Sequence, residues 1–193
     1  MNSSAKSFLL SWFAVAALYA TGADAKDCAG VSFPDQAQVE GSNLSLNGLG
    51  LRLATMLKVK VYVAALYVAK TSNDPAAILD SSAPVDLVLQ FVRDVGADDL
   101  RKGWDEGFEK NAKGQLPALK GRIATLNGWM TDVRSGQKLV FTRKPGAGIQ
   151  VSVNGANKGA IPGDDFAKTF LSIWLGDPPN PEIKAGLLGG ACG

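Results

Sequence analysis

The chain contains no histidine. That absence removes Ser-His-Asp and Cys-His nucleophilic catalysis, where imidazole is the base, and the usual zinc sites, where it is a common ligand. Any chemistry must rest on Arg, Lys, Tyr, Thr or carboxylates, and neither a metal nor a cofactor is expected. The glycine-rich Gly146-Ala147-Gly148 lies between two strand-like segments and reads as a turn, not as a phosphate loop. Strong charge of one sign is missing too: the formal net charge is +2, and no basic run is interleaved with aromatics. Nucleic acid is therefore not an expected partner. Beyond residue 25 no stretch reaches the length of about 20 apolar residues that a bilayer crossing takes.

The first residues carry the opposite signal. Lys6 precedes an apolar run from Phe8 to Ala20 whose one polar interruption is Ser11, and Ala23-Asp24-Ala25 follows as a small-x-small triplet. This order predicts a signal peptide over residues 1–25, cut after Ala25, and a periplasmic or secreted domain over residues 26–193. The alternative is an uncleaved anchor, for which the run is short. A lipid-modified cysteine fits poorly, because Lys26-Asp27 precede Cys28 in place of small apolar residues.

Cysteine is scarce, with two in the chain, Cys28 and Cys192, one near each end of the expected mature domain. In an oxidising compartment they make a disulfide the natural expectation, the alternative being two independent thiols.

Periodicity gives the elements. Strands are expected from Gln38 to Lys70, with a turn at Asn47-Gly48 and a strand from Leu57 to Val68 whose apolar residues alternate. Asp74-Pro75 should open a short helix to Leu79. Val85, Leu87, Leu89 and Phe91 share one face of a further strand. Leu100, Trp104, Phe108 and Ala112, then Leu119, Ile123, Leu126 and Met130, recur at helical spacing. Two strands, Lys138 to Arg143 and Ile149 to Val153, precede a turn at Asn154-Gly155 and a return strand. Asp164 should cap a helix ending at Gly176, and a last helix should run from Pro181 to Leu188. Strands first, a helical pair, a hairpin, then helices: this segregation predicts an α+β fold, an antiparallel sheet with helices on one face.

Four segments in order resemble the chalcone isomerase superfamily. They are Leu46-Asn47-Gly48-Leu49-Gly50-Leu51-Arg52; Lys60 through Val68; Phe91-Val92-Arg93-Asp94-Val95; and Ile161-Pro162-Gly163-Asp164-Asp165-Phe166 through Ile173-Trp174-Leu175-Gly176. The resemblance spans roughly Gln38 to Gly189. It implies an open-faced β-sandwich with a ligand cleft between sheet and helices.

Arg52 stands first among candidate site residues, since a guanidinium between Leu51 and Leu53 must find an anion or stay wet. In the plant isomerases the arginine it resembles organises an anionic phenolate; in fatty-acid-binding members an arginine and a tyrosine hold the carboxylate. Tyr62 occupies the place resembling a catalytic threonine, and Ile173-Trp174 falls where the enzymes want a hydroxyl. Trp104 and Asn111 stand at about the separation of two further polar residues of the plant enzymes. Asp164 and Asp165 are adjacent carboxylates, which a helix N-terminus favours on electrostatic grounds alone. The leading expectation is a binder of a small amphipathic carboxylate such as a fatty acid, gripped by Arg52 and Tyr62. One alternative is an isomerase (intramolecular lyase) acting on a chalcone-like or other phenolic substrate. The other is a structural or assembly partner without ligand, in which Arg52 should sit in an internal salt bridge.

Overall fold

The computed structural model describes residues 25–39 and 41–192. The expected signal peptide lies outside the described residues, apart from Ala25. A short hairpin, β1 (Ala25–Cys28) and β2 (Val31–Pro34), opens the chain. Then β3 (Gln36–Val39), β4 (Ser42–Ala54) and β5 (Val59–Val68) run antiparallel. Helix α1 (Pro75–Leu79) leads to β6 (Val85–Phe91), and the helical pair α2 (Ala97–Asn111) and α3 (Leu116–Trp129) follows. Strands β7 (Lys138–Lys144), β8 (Gly148–Val153) and β9 (Ala156–Ile161) complete a seven-stranded meander in sequential order. Helices α4 (Asp164–Leu175) and α5 (Pro181–Leu187) close the chain. The α+β expectation holds.

Alternation sorts the sheet into two faces. On one, Leu66, Leu87, Leu89, Phe141 and Val151 pack beneath the helices. The expected helical stripes are all there: Leu100, Trp104, Phe108 and Ala112 on α2, and Leu119, Ile123, Leu126 and Met130 at α3, are buried. On the other face, Leu44, Leu46, Leu49, Leu51, Val63 and Tyr67 pack with Val31 and Phe33 of the β1–β2 hairpin. The central strand β5 is therefore buried on both sides from Tyr62 to Val68, which an alternating pattern does not foretell.

Three local expectations need correction. Asn47-Gly48 is not a turn: β4 runs through it with a register shift between Leu46 and Gly48. The Asn47 side chain is buried, donates to the carbonyls of Ser72 and Leu187, and accepts from the Ser72 amide. The turn into β5 lies instead at Thr55–Lys58, so Leu57 is a turn residue and the strand starts at Val59. Asp164 does not cap α4; Gly163 holds the cap position, and Asp164 accepts from the Gly146 amide across the β7–β8 turn. By contrast Asp74 caps α1 as expected, accepting from the Ala76 amide with Pro75 at the first turn.

The expected disulfide is present. Cys28 of β1 and Cys192, just beyond α5, are joined with 5.9 Å between their Cα atoms, well inside the range a bridge requires.

Candidate functional site

Antiparallel pairing sets Arg52 of β4 directly opposite Tyr62 of β5, beside a β-bulge between Arg52 and Leu53. The bulge leaves backbone groups of β4 without ladder partners, and Asn180 takes them up. Its side chain donates to the Leu51 carbonyl and accepts from the Leu53 amide. The Arg52 Nη1 turns back to donate to the carbonyl of Leu53. Arg52 is half-buried, and no carboxylate among the described residues lies within ion-pair distance of it. The internal salt bridge expected of a ligand-free structural protein is not formed among the described residues.

Tyr62 is 6% exposed, edge-on to Phe91 at 5.4 Å between centroids. Its hydroxyl oxygen accepts a 3.0 Å hydrogen bond from Trp174 Nε1 of α4. The hydroxyl proton has no acceptor among the described residues, so it is free to donate into the cleft. Burial pushes the Tyr62 phenol up to about 12, against the smaller lowering effects of the Trp174 hydrogen bond and the Arg52 charge. At neutral pH the group is therefore a donor, not a phenolate. The sequence names Trp174 as a departure from the isomerases but not as the hydrogen-bond partner of Tyr62. The signal was there in two departures that the resemblance implies, one at Tyr62 and one at Trp174, and the structure bonds these two residues to each other.

Arg52 and Tyr62 line a cleft of about 500 Å³ that runs between β4–β5 and α2. That volume is within the usual range for small-molecule sites. Phe91, Leu100, Trp104 and Ile173 give it an apolar wall. Gly103 and Gly107, one helical turn apart, line the α2 side. A Cβ on Gly103 would meet nothing, whereas one on Gly107 would lie 2.8 Å from Ile173 Cγ2. Trp104 is core, as its helical spacing implies, at 4% exposure, yet it also lines the cleft, and its Nε1 has no hydrogen-bond partner among the described residues. Asn111 does not reach the cleft: its side chain ties the Gly107 and Asp177 carbonyls and the Asp177 amide together, fixing the end of α2 to the segment after α4.

Neither of the adjacent carboxylates contributes. Asp165 is held in a two-pronged pair with Arg122 at 2.7 and 2.6 Å, and that hydrogen bonding holds its carboxyl down at about 2. Neither Asp164 nor Asp165 lines the cleft.

The model of the chalcone isomerase-like family matches residues 25–189. The chain belongs to the chalcone isomerase-like family. No curated protein sequence matches this family member. Among solved structures it is similar to the Arabidopsis thaliana fatty-acid binding protein AtFAP1, with a TM-score of 0.69 at 16% identity, over 86% of this chain and 96% of that one. At that identity the likeness is one of fold: a chalcone isomerase-like sheet carrying a helical layer.

Proposed function

We propose that this chalcone isomerase-like protein binds a small amphipathic carboxylate, a fatty acid or a close analogue, in the cleft between α2 and the sheet. The observation that carries the reading is the pairing of Arg52 and Tyr62. A half-buried guanidinium without a carboxylate partner among the described residues stands opposite a phenol whose proton is unspent, both at one cleft. That cleft has an apolar wall of Phe91, Leu100, Trp104 and Ile173 and a charged rim that includes Arg93, Asp94, Asp99 and Lys102. A carboxylate accepts from both at once through charge-assisted hydrogen bonds. The tail then gains about 0.8 kcal/mol for each methylene it buries against Phe91, Leu100 and Ile173. The fold shared with a fatty-acid binding protein supports the reading. A threonine-based isomerase site has less support, because Tyr62 and Trp174 fill the two hydroxyl positions and engage each other.

The experiment is a fatty-acid titration beside a thermal melt. Arg52→Ala should leave the melt nearly unchanged and weaken binding by about 1.5 to 3 kcal/mol, more than tenfold. Tyr62→Phe should weaken binding less, by about 0.5 to 1.5 kcal/mol. It should also cost stability, because Trp174 Nε1 loses its acceptor inside the core; Trp174→Phe in the same chain should recover part of that loss. A large drop in melting temperature for Arg52→Ala with unchanged lipid affinity would end the proposal.

The same reading takes the protein to be exported. The match of the family model from residue 25 onward supports a domain that begins where the expected cleavage falls. The mature N-terminus should be Lys26, within a residue or two. Intact-mass measurement on the exported protein checks this, and retention of residues 1–25 refutes it.

A further inference from the structure

The turn between β4 and β5 is built against ordinary economy. Among the described residues, Met56 and Leu57 are the exposed large hydrophobic side chains, at 101% and 86% exposure. They occupy the centre of a tight turn closed by the Lys58 amide donating to the Thr55 carbonyl at 3.1 Å, with the Leu57 amide on Thr55 Oγ1 at 3.3 Å. The flanking residues, Thr55 at φ 61° and Lys58 at φ 51°, are both left-handed without being glycine. Side chains disfavour that conformation, β-branched threonine most of all. The chain thus accepts backbone strain to hold two apolar side chains out in water on a defined turn.

Place and charge say what the tip meets. Ala54 and Thr55, at its base, line the cleft together with Arg52 and Tyr62. From Arg52 to Tyr62 the hairpin carries three cations, Arg52, Lys58 and Lys60, and no acid. Lys58 reaches Glu182 at 3.8 Å in an exposed and weak pair, and Lys60 is exposed. Apolar side chains at the tip with cations just behind them match the layering of an anionic bilayer, acyl chains within and phosphates at the surface.

We propose that the Thr55–Lys58 turn is a docking tip for anionic phospholipid membrane, which sets the mouth of the cleft against the surface from which its ligand is drawn. The ligand part rests on the proposed lipid-binding function; the docking part does not. Met56 and Leu57 enter the acyl boundary while Lys58 and Lys60 face the headgroups.

The test uses the mature chain, the Met56→Ser/Leu57→Ser double variant and Lys60→Glu, with phosphatidylglycerol-containing vesicles and with phosphatidylcholine vesicles. Wild type should co-sediment with the anionic vesicles more strongly than with the neutral ones. The double variant should lose about tenfold or more of that partition, and Lys60→Glu about fivefold, on anionic vesicles alone. Fatty-acid affinity in vesicle-free solution should be unchanged in both, while the rate of transfer out of vesicles falls in step with partition. Wild type that does not sediment with either vesicle, or partition indifferent to Met56 and Leu57, overturns the proposal. So does a wild-type dimer that the double variant dissociates, which would make the tip a contact between two copies. If the protein binds vesicles through the tip but takes up no fatty acid, docking stands and the proposed ligand falls.

Discussion

Replacing Cys28 and Cys192 by serine should lower the unfolding free energy of the domain over residues 26–193 by about 3 to 5 kcal/mol. The bridge spans 164 residues of sequence, so it closes nearly the whole domain into one loop. In the chain-entropy account the gain grows with the logarithm of loop length, which puts this bridge near the upper end of the usual range. Its position adds a second effect. Cys28 is buried in the smaller core with Val31 and Phe33, on the hairpin that covers the face of the sheet away from the helices. Cys192 follows α5, which packs against β4 on the helix side. The bridge thus clamps the coverings of both faces at one edge of the sheet. Denaturant unfolding of wild type with and without reductant, beside the double serine variant, measures this. The reduced wild type and the variant should coincide. A difference from oxidised wild type below about 1 kcal/mol would mean that the covers hold without the clamp. Because a reducing compartment removes the same contribution, the oxidised protein should be the more stable form.

What the sequence could tell divides along a physical line. Elements whose signal is local came through: the four apolar residues of β6, the stripes of α2 and α3, the Asp74-Pro75 start of α1 and the Asn154-Gly155 turn. Where tertiary demands override local preference, the reading failed. Asn-Gly is a strong hairpin signal, but at Asn47-Gly48 the asparagine is spent on Ser72 and Leu187 and the strand continues as a bulge. The true turn shows no glycine or proline, since Thr55 and Lys58 take the left-handed positions themselves. Strands β1 to β3 are four residues each, too short to announce themselves. The site was half legible. Arg52 stood out because a charge between leucines needs a reason, and its cross-strand neighbour Tyr62 followed from the family resemblance. The Trp174 bond that orients Tyr62 joins residues 112 apart in sequence, and pairing at that distance leaves no periodic trace.

Gly50→Val should destabilise the protein by about 3 kcal/mol or more and weaken ligand binding with it. In an ordinary strand the change would help, because glycine carries excess backbone freedom and packs nothing. Here the sign reverses. A Cβ on Gly50 would run into the carbonyl oxygen of Ile183 and lie 2.8 Å from Ile183 Cγ1; one on Gly48 would strike the Gly186 carbonyl and lie 2.8 Å from that of Leu187. From the other side, a Cβ on Gly186 would strike the Leu49 carbonyl and lie 3.0 Å from Gly50 Cα. Helix α5 thus rests backbone against backbone on β4, and a main chain cannot rotate aside as a flexible side chain can. The alternating glycines of Leu46-Asn47-Gly48-Leu49-Gly50-Leu51-Arg52 are the seat of that helix, and their leucines fill the opposite core. Prying α5 away would also pull Asn180, its N-terminal cap, off the Leu51 carbonyl and the Leu53 amide. Those two bonds flank Arg52 and hold the bulge beside it, so the strand position that sets Arg52 at the cleft would be disturbed. Gly121→Ala is the control: it places a methyl group in open space on α3, away from the cleft lining, and should raise stability by about 1 kcal/mol, as glycine-to-alanine does on an unobstructed helix. Melts and fatty-acid titrations of the two variants separate the effects. If Gly50→Val melts like wild type, the seat is softer than the backbone contact allows. If it melts early yet binds ligand as tightly as wild type, Asn180 does not position Arg52.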